Sequence, residues 1–227
     1  MTDVMLVDDH KIMRDGIRAI LRSHPEFRVT GEAASGHEAV QMAKSLRPQV
    51  IVMDLNLPGL SGLEATSEIL RHLPDMRIVI LSMYDDDASV MEAMRAGARA
   101  FVLKSGSDED LIQALNTVSR GGSYLSPHIS DRFLSHIRKG DIDQLRPSQE
   151  LGKLSPRERQ VMRMVAEGKS SKEIAILLEL GVETVRGYRK TLMKKLGVTN
   201  VAELTRMAIR NGLAGGAGFA AAAGDAG

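Results

Sequence analysis

Five polar side chains in the first half of this 227-residue sequence stand directly behind short apolar runs. Asp8 and Asp9 follow Val4–Val7, Asp54 follows Val50–Met53, Ser82 follows Ile78–Leu81, and Lys104 follows Ala100–Leu103. Three carboxylates brought together repel one another, by on the order of 4 kcal/mol per pair at ~4 Å and an effective dielectric of ~20. They must share protons or bind a cation. The chain has no cysteine and no suitably spaced histidine. Its all-oxygen donor set favours Mg2+, which keeps several waters and accepts carboxylates together with a phosphoryl oxygen. A lysine and a hydroxyl at the same edge would neutralise phosphoryl oxygens. The chemistry expected of the group is therefore acceptance of a phosphoryl group. Taken singly, each acid has a plainer reading: Asp8-Asp9 caps a helix starting near Lys11, and Asp54 opens a turn into Pro58-Gly59. Their joint placement favours the phosphoryl site.

The elements that hold these residues follow from periodicity. Between the apolar runs, with Phe27–Ala33 as a further one, lie Lys11–Arg22, Gly36–Leu46, Leu63–Arg71, Ala88–Ala96 and Asp108–Ser119. Ile17, Ile20 and Leu21, and again Leu111, Ala114 and Leu115, show the spacing of one helix face. Five strands alternating with five helices predict an α/β fold, a five-stranded parallel sheet covered on both sides. In such sheets ligands bind beyond the carboxyl ends of the strands. The order 2-1-3-4-5, borrowed from flavodoxin-like sheets, makes the first and third strands neighbours and lets the acids converge.

These residues resemble the receiver domain of two-component response regulators. The matching pieces are Val7-Asp8-Asp9-His10, the stretch from Asp54 to Glu64 containing Pro58-Gly59 and Ser61-Gly62, Leu81-Ser82, and Phe101-Val102-Leu103-Lys104. The resemblance implies that Asp54 accepts a phosphoryl group from a partner histidine kinase. It also implies that Asp9, Asp54 and the main-chain carbonyl of Asn56 hold Mg2+, with Asp8 acting largely through water. Ser82 and Lys104 would bind phosphoryl oxygens, and Phe101 would be a switch aromatic turning inward as Ser82 moves. Ser105 stands where the family usually has a proline after a cis peptide, so the loop is either strained or trans. Tyr84, two residues beyond Ser82, is expected to shield the acyl phosphate from water. Asp85-Asp86-Asp87 suits a helix N-terminus, and the six histidines read as solvated or capping. With no phosphate-cradling glycine loop, the phosphoryl group must come from elsewhere.

The net charge of +1 hides an asymmetry. Residues 1–120 hold 13 Lys+Arg against 18 Asp+Glu, and residues 153–227 hold 13 against 7. Two modules with different partners are expected: 1–121, then a linker over 122–150 with a short helix at Asp131–Lys139, then 151–212. An Ala/Gly-rich tail over 213–227 reads as disordered. The second module is expected to carry three capping boxes, Ser155…Glu158, Ser170…Glu173 and Asn200…Glu203, the last with Asn in place of Ser or Thr. Four short helices follow, near 156–166, 171–178, 182–196 and 201–210, the middle pair separated by a tight turn around Glu179–Gly181. The third carries Arg186, Arg189, Lys190, Lys194 and Lys195 with no acid among them, a basic stripe suited to a major groove.

This half resembles the DNA-binding domain of NarL/FixJ (LuxR-type) regulators, through Leu154–Arg159, Ala166–Ser170, Lys172–Ala175, Thr184–Arg186 and Lys195–Val198. By that resemblance Arg186, Gly187 and Lys190 face bases, while Lys172, Tyr188, Arg189 and Lys194 contact phosphates. A homodimer formed on phosphorylation, joined through Val201–Ala208, would set two reading helices about one turn of DNA apart. The expectation is thus a cytoplasmic regulator of transcription that binds double-stranded DNA, has no membrane partner, and catalyses only its own phosphorylation and dephosphorylation. Two rivals stand beside it. One is a Mg2+-dependent phosphohydrolase, disfavoured because Asn56 sits where a second acid is expected. The other is a degenerate receiver, disfavoured by the full set of five residues.

Overall fold

Strands of mostly β-branched and leucine residues alternate with amphipathic helices from Thr2 to Lys139. In order these are β1 (Thr2–Val7), α1 (Lys11–Arg22), β2 (Phe27–Ala33), α2 (Gly36–Leu46), β3 (Val50–Asp54), α3 (Gly62–His72), β4 (Arg77–Ser82), α4 (Asp87–Arg95), β5 (Ala100–Leu103), α5 (Asp108–Ser119), β6 (Tyr124–Leu125) and α6 (Pro127–Lys139). The structure, a computed structural model, describes residues 1–83, 85–139, 151–178, 180–210 and 213. Its two units are Met1–Leu145 and Arg146–Gly227.

In the first unit every strand pairing is parallel, in the order β2-β1-β3-β4-β5-β6. Successive side chains of a strand point to opposite faces, and both faces are buried. Met5, Val7, Ile51, Met53, Ile78 and Ile80 join a core with α2, α3 and α4. Val4, Leu6, Val50, Val52, Val79 and Leu81 join a second core with Ile17 and Leu21 of α1 and Leu111 and Leu115 of α5. Close approach requires glycine at the start of two helices, Gly36 of α2, where a Cβ would lie 2.1 Å from the Leu60 carbonyl oxygen, and Gly62 of α3. A Cβ on Gly62, at the start of α3, would lie 2.0 Å from the carbonyl oxygen of Asp54.

The sheet has six strands, not the five expected, and the first unit runs past residue 121. Tyr124 pairs with Ala100 and Leu125 with Phe101. The helix expected at Asp131 starts at Pro127, suiting proline's tolerance of a first helical position. Ile129 is wholly buried in the same core as Phe101, with Leu125 and Phe133 packed against it. A two-residue strand shows no period, and Ile129 and Phe133 are too few to stand out among polar neighbours. The Lys104–Ser105 peptide is trans. The rest of the expected linker, 140–150, and the tail from 214 lie outside the described residues, as do Tyr84 and Glu179.

In its described residues the second unit is all-α: a 3-10 turn at Leu151–Lys153, then α7 (Pro156–Ala166), α8 (Ser171–Leu177), α9 (Val182–Leu196) and α10 (Val201–Arg210). Ser155 with Glu158 and Ser170 with Glu173 form full capping boxes. At α10 the arrangement differs. Asn200 Oδ1 accepts from the Glu203 amide at 2.9 Å, while the Glu203 carboxylate reaches the Thr199 amide. Gly197 ends α9 in the left-handed conformation that glycine adopts at no steric cost. Val161, Ile174, Val185, Leu192, Leu204 and Ala208 build the core. Leu204 and Ala208 are therefore internal, and the large apolar side chains that α10 leaves exposed are Val201 and Ile209. Among the described residues no helix is long and apolar enough to cross a membrane.

Candidate phosphoryl-acceptor site and nucleic-acid interface

The carboxyl ends of β1 and β3 lie side by side, Val7 opposite Met53, and deliver Asp8 and Asp54 to one place. Both are almost fully buried, at 2% and 3% exposed. Asp8, Asp9, His10 and Asp54 each offer a ligand atom within 4.8 Å of the others. From β5, Lys104 reaches across β4 and places Nζ 2.6 Å from Asp8 Oδ2 and 2.9 Å from Asp54 Oδ2. The Asn56 amide donates to Asp54 Oδ1 at 3.2 Å. Ser82, on the strand between β3 and β5, is wholly buried, and its carbonyl accepts from the Lys104 amide at 2.8 Å. Phe101 is fully buried, turned into the core that holds Ile80 and Ile129.

Burial is the largest influence on the Asp54 carboxyl. It lifts the pKa to about 6 from 3.8, with Lys104 pulling downward and Asp8 adding a smaller upward push. For Lys104 burial works against the charge, but Asp54 and Asp8 outweigh it, and its pKa is raised. The ammonium thus stays charged beside the two acids. An oxygen-rich pocket of buried carboxylates, open to solvent at Asp9, is a donor set suited to a hard divalent cation.

Two neighbours escaped the sequence. His10, expected to be solvated or capping, is exposed and stands at the N-cap of α1, though its side chain caps no amide. Its Nδ1 lies 2.8 Å from Asp9 Oδ1 and 3.2 Å from Asp8 Oδ1. Arg14 donates to the main-chain oxygen of Asp8 at 2.5 Å and is braced by Glu32. Adjacency in Asp8-Asp9-His10 was the only available signal for the first, and none existed for the second. At the mouth of α4, Asp86 caps the helix through the Ser89 amide, while Asp85 and Asp87 pair with Arg132 of α6.

In the second unit Lys172, Arg186, Gly187, Lys190 and Lys194 are exposed, as a polyanion-binding face requires. Three basic residues of α9 are drawn into the unit's own contacts. Arg186 pairs with Glu183, and Arg189, half-buried, donates to Ser171 Oγ at 2.9 Å. Lys195 meets the buried Glu158 at 2.7 Å. Tyr188 is half-buried against the core.

Comparison with known proteins covers both units. Residues 4–116 match the response regulator receiver domain, and residues 152–208 match the luxR family of bacterial regulatory proteins. The chain is 33% identical over 210 residues to the transcriptional regulatory protein MctR of Rhizobium johnstonii, covering 92% of this chain and 94% of that protein. It is 35% identical over 212 residues to the oxygen regulatory protein NreC of Staphylococcus carnosus, covering 92% and 98%. Among solved structures, the response regulator RcsB in complex with DNA matches at 30% identity and a TM-score of 0.55, covering 90% of this chain and 96% of that one. The chain therefore belongs to the LuxR-type response regulators, transcriptional regulators that join a receiver domain to a helix-turn-helix DNA-binding domain.

Proposed function

We propose that Asp54 accepts a phosphoryl group from a partner histidine kinase, and that this controls binding of double-stranded DNA through α9. The observation that carries the reading is the buried Asp8–Lys104–Asp54 bridge at the carboxyl edge of the sheet. Asp54 presents a carboxylate oxygen to the phosphorus, a P–O bond forms, and the bond to the donor histidine nitrogen breaks. Lys104 and Ser82 then hold phosphoryl oxygens in a pocket where a charge-assisted hydrogen bond is stronger than in water. A Mg2+ ion would be held by Asp9, Asp54 and the Asn56 carbonyl, with Asp8 behind it, and would supply positive charge for the incoming anion.

On the second unit Arg186, Gly187 and Lys190 would face base edges. Lys172, Tyr188, Arg189 and Lys194 would contact phosphates. The bond from Arg189 to Ser171 supports a role in bracing α9 against α8 as well. Homodimer formation on phosphorylation is part of the same reading. RcsB has been solved as two dimers bound to two DNAs, and Val201 and Ile209 leave apolar surface on α10 here. The test compares DNA binding by the full chain and by Asp54→Ala, with and without acetyl phosphate and Mg2+. Tighter binding on phosphorylation in the wild type alone is expected. Equal response of the two proteins would remove Asp54 from the scheme.

A further inference from the structure

Gly187 has no reason to be glycine that the fold supplies. It lies in the middle of α9, its φ is not in the left-handed region, and a Cβ added there would meet nothing within 4 Å. Glycine is the poorest helix former after proline, so this residue weakens the helix without relieving any crowding. Its position on the helix is informative. At about 100° per residue, Gly187 stands nearly opposite Val185, Leu192 and Leu196, the residues that anchor α9 to its core. It is therefore the outermost point of the helix, with Glu183, Arg186, Lys190 and Lys194 around it, all exposed.

We propose that Gly187 is a specificity-determining residue that lets the α9 main chain itself approach base edges. The inference rests on the DNA-binding reading above and deepens it. A helix with its side chains is about 10–12 Å across, and the major groove is about 12 Å wide. Deleting the side chain at the leading point of the helix lowers its backbone toward the groove floor. That brings Arg186 and Lys190 within reach of bases on either side. The base pair beneath Gly187 is then read by shape, through contact with main-chain atoms, and any side chain there would lift the helix.

The experiment uses the full chain with acetyl phosphate and Mg2+. Duplexes are selected from a random-sequence library, and wild type, Gly187→Ala and Gly187→Val are compared on the selected duplex and on poly(dI-dC). Thermal unfolding checks the fold of each variant. The expected result is an Ala variant at least as stable as wild type that binds the selected duplex roughly tenfold more weakly, the size of one lost base contact. Val should bind more weakly again, while binding to poly(dI-dC) is unchanged. An Ala variant that matches the wild type on the selected duplex overturns this inference alone. A wild type that selects no sequence overturns the DNA-binding reading and this inference with it.

Discussion

Asp54 is held by burial in a state that costs folding free energy when it is charged. In metal-free protein the folded chain keeps its proton up to a pH of about 6, against 3.8 for the free side chain. Between those values the folded state binds more protons than the unfolded one. The contribution of Asp54 to stability is therefore greatest on the acid side and falls as pH rises through that window, by on the order of 3 kcal/mol. Urea melts between pH 4 and pH 7 should show this slope, and Asp54→Asn should flatten it. Gly62 offers a second check. Its missing Cβ makes room for the Asp54 carbonyl at 2.0 Å and for the Leu55 main chain, neither of which can rotate away. Gly62→Ala should cost about 1–3 kcal/mol by overpacking and reduce acetyl phosphate labelling of Asp54 by displacing the end of β3. Asp8, Asp9, Asp54, Ser82 and Lys104 were readable because each ends an apolar run. His10 and Arg14 were not, because a ring that turns back on its neighbour and a guanidinium that seeks a carbonyl leave no periodic trace.

Among the elements, the clearest sequence signals came from long periodic stretches: α1, α2, α5, α7, α9 and α10 begin and end where spacing and caps predict. The segment after α5 was misread. β6 and the first turn of α6 depend on contacts made far away in sequence, Tyr124 with Ala100 and Ile129 with the Phe101 core, and a linker-like composition conceals them. Ile129→Ala should therefore destabilise the first unit by about 2–5 kcal/mol, the cost of a cavity at a wholly buried site. A residue in a true linker would cost nothing. Chemical denaturation of the full chain, followed by the unfolding of the first unit, distinguishes the two. Ser155→Ala tests the other unit: losing the cap of α7 should cost about 1 kcal/mol in the same measurement.

For the whole molecule, the acidic first half and the basic second half foretold two modules, and the total charge alone would have concealed them. Exposed Lys172 and Lys194 are expected to act on DNA chiefly as charges. Each replaced by alanine should reduce the log–log dependence of binding on salt by about 0.9. Arg186→Ala should instead cost about 1–3 kcal/mol and relax base preference. Titrations at several salt concentrations separate the two behaviours. Switching such a molecule from almost wholly inactive to almost wholly active requires about 5.5 kcal/mol of difference between its states. Under the proposed function, a phosphoryl anion seated against Lys104 together with pairing of two chains would have to supply it.

The two residues of β6 also decide how the receiver behaves in company. They and Ser126 occupy the outer margin of β5, where the Phe101 carbonyl accepts from the Ser126 amide at 3.1 Å and the Leu103 amide donates to Ser126 Oγ at 3.3 Å. Strip them away, by truncation or a protease cut after Gly122, and β5 offers bare peptide groups on an apolar ribbon, a template on which other strands can grow. The cover over this margin of the sheet thus lies in a short stretch of chain beyond residue 116, where the match to the receiver model ends.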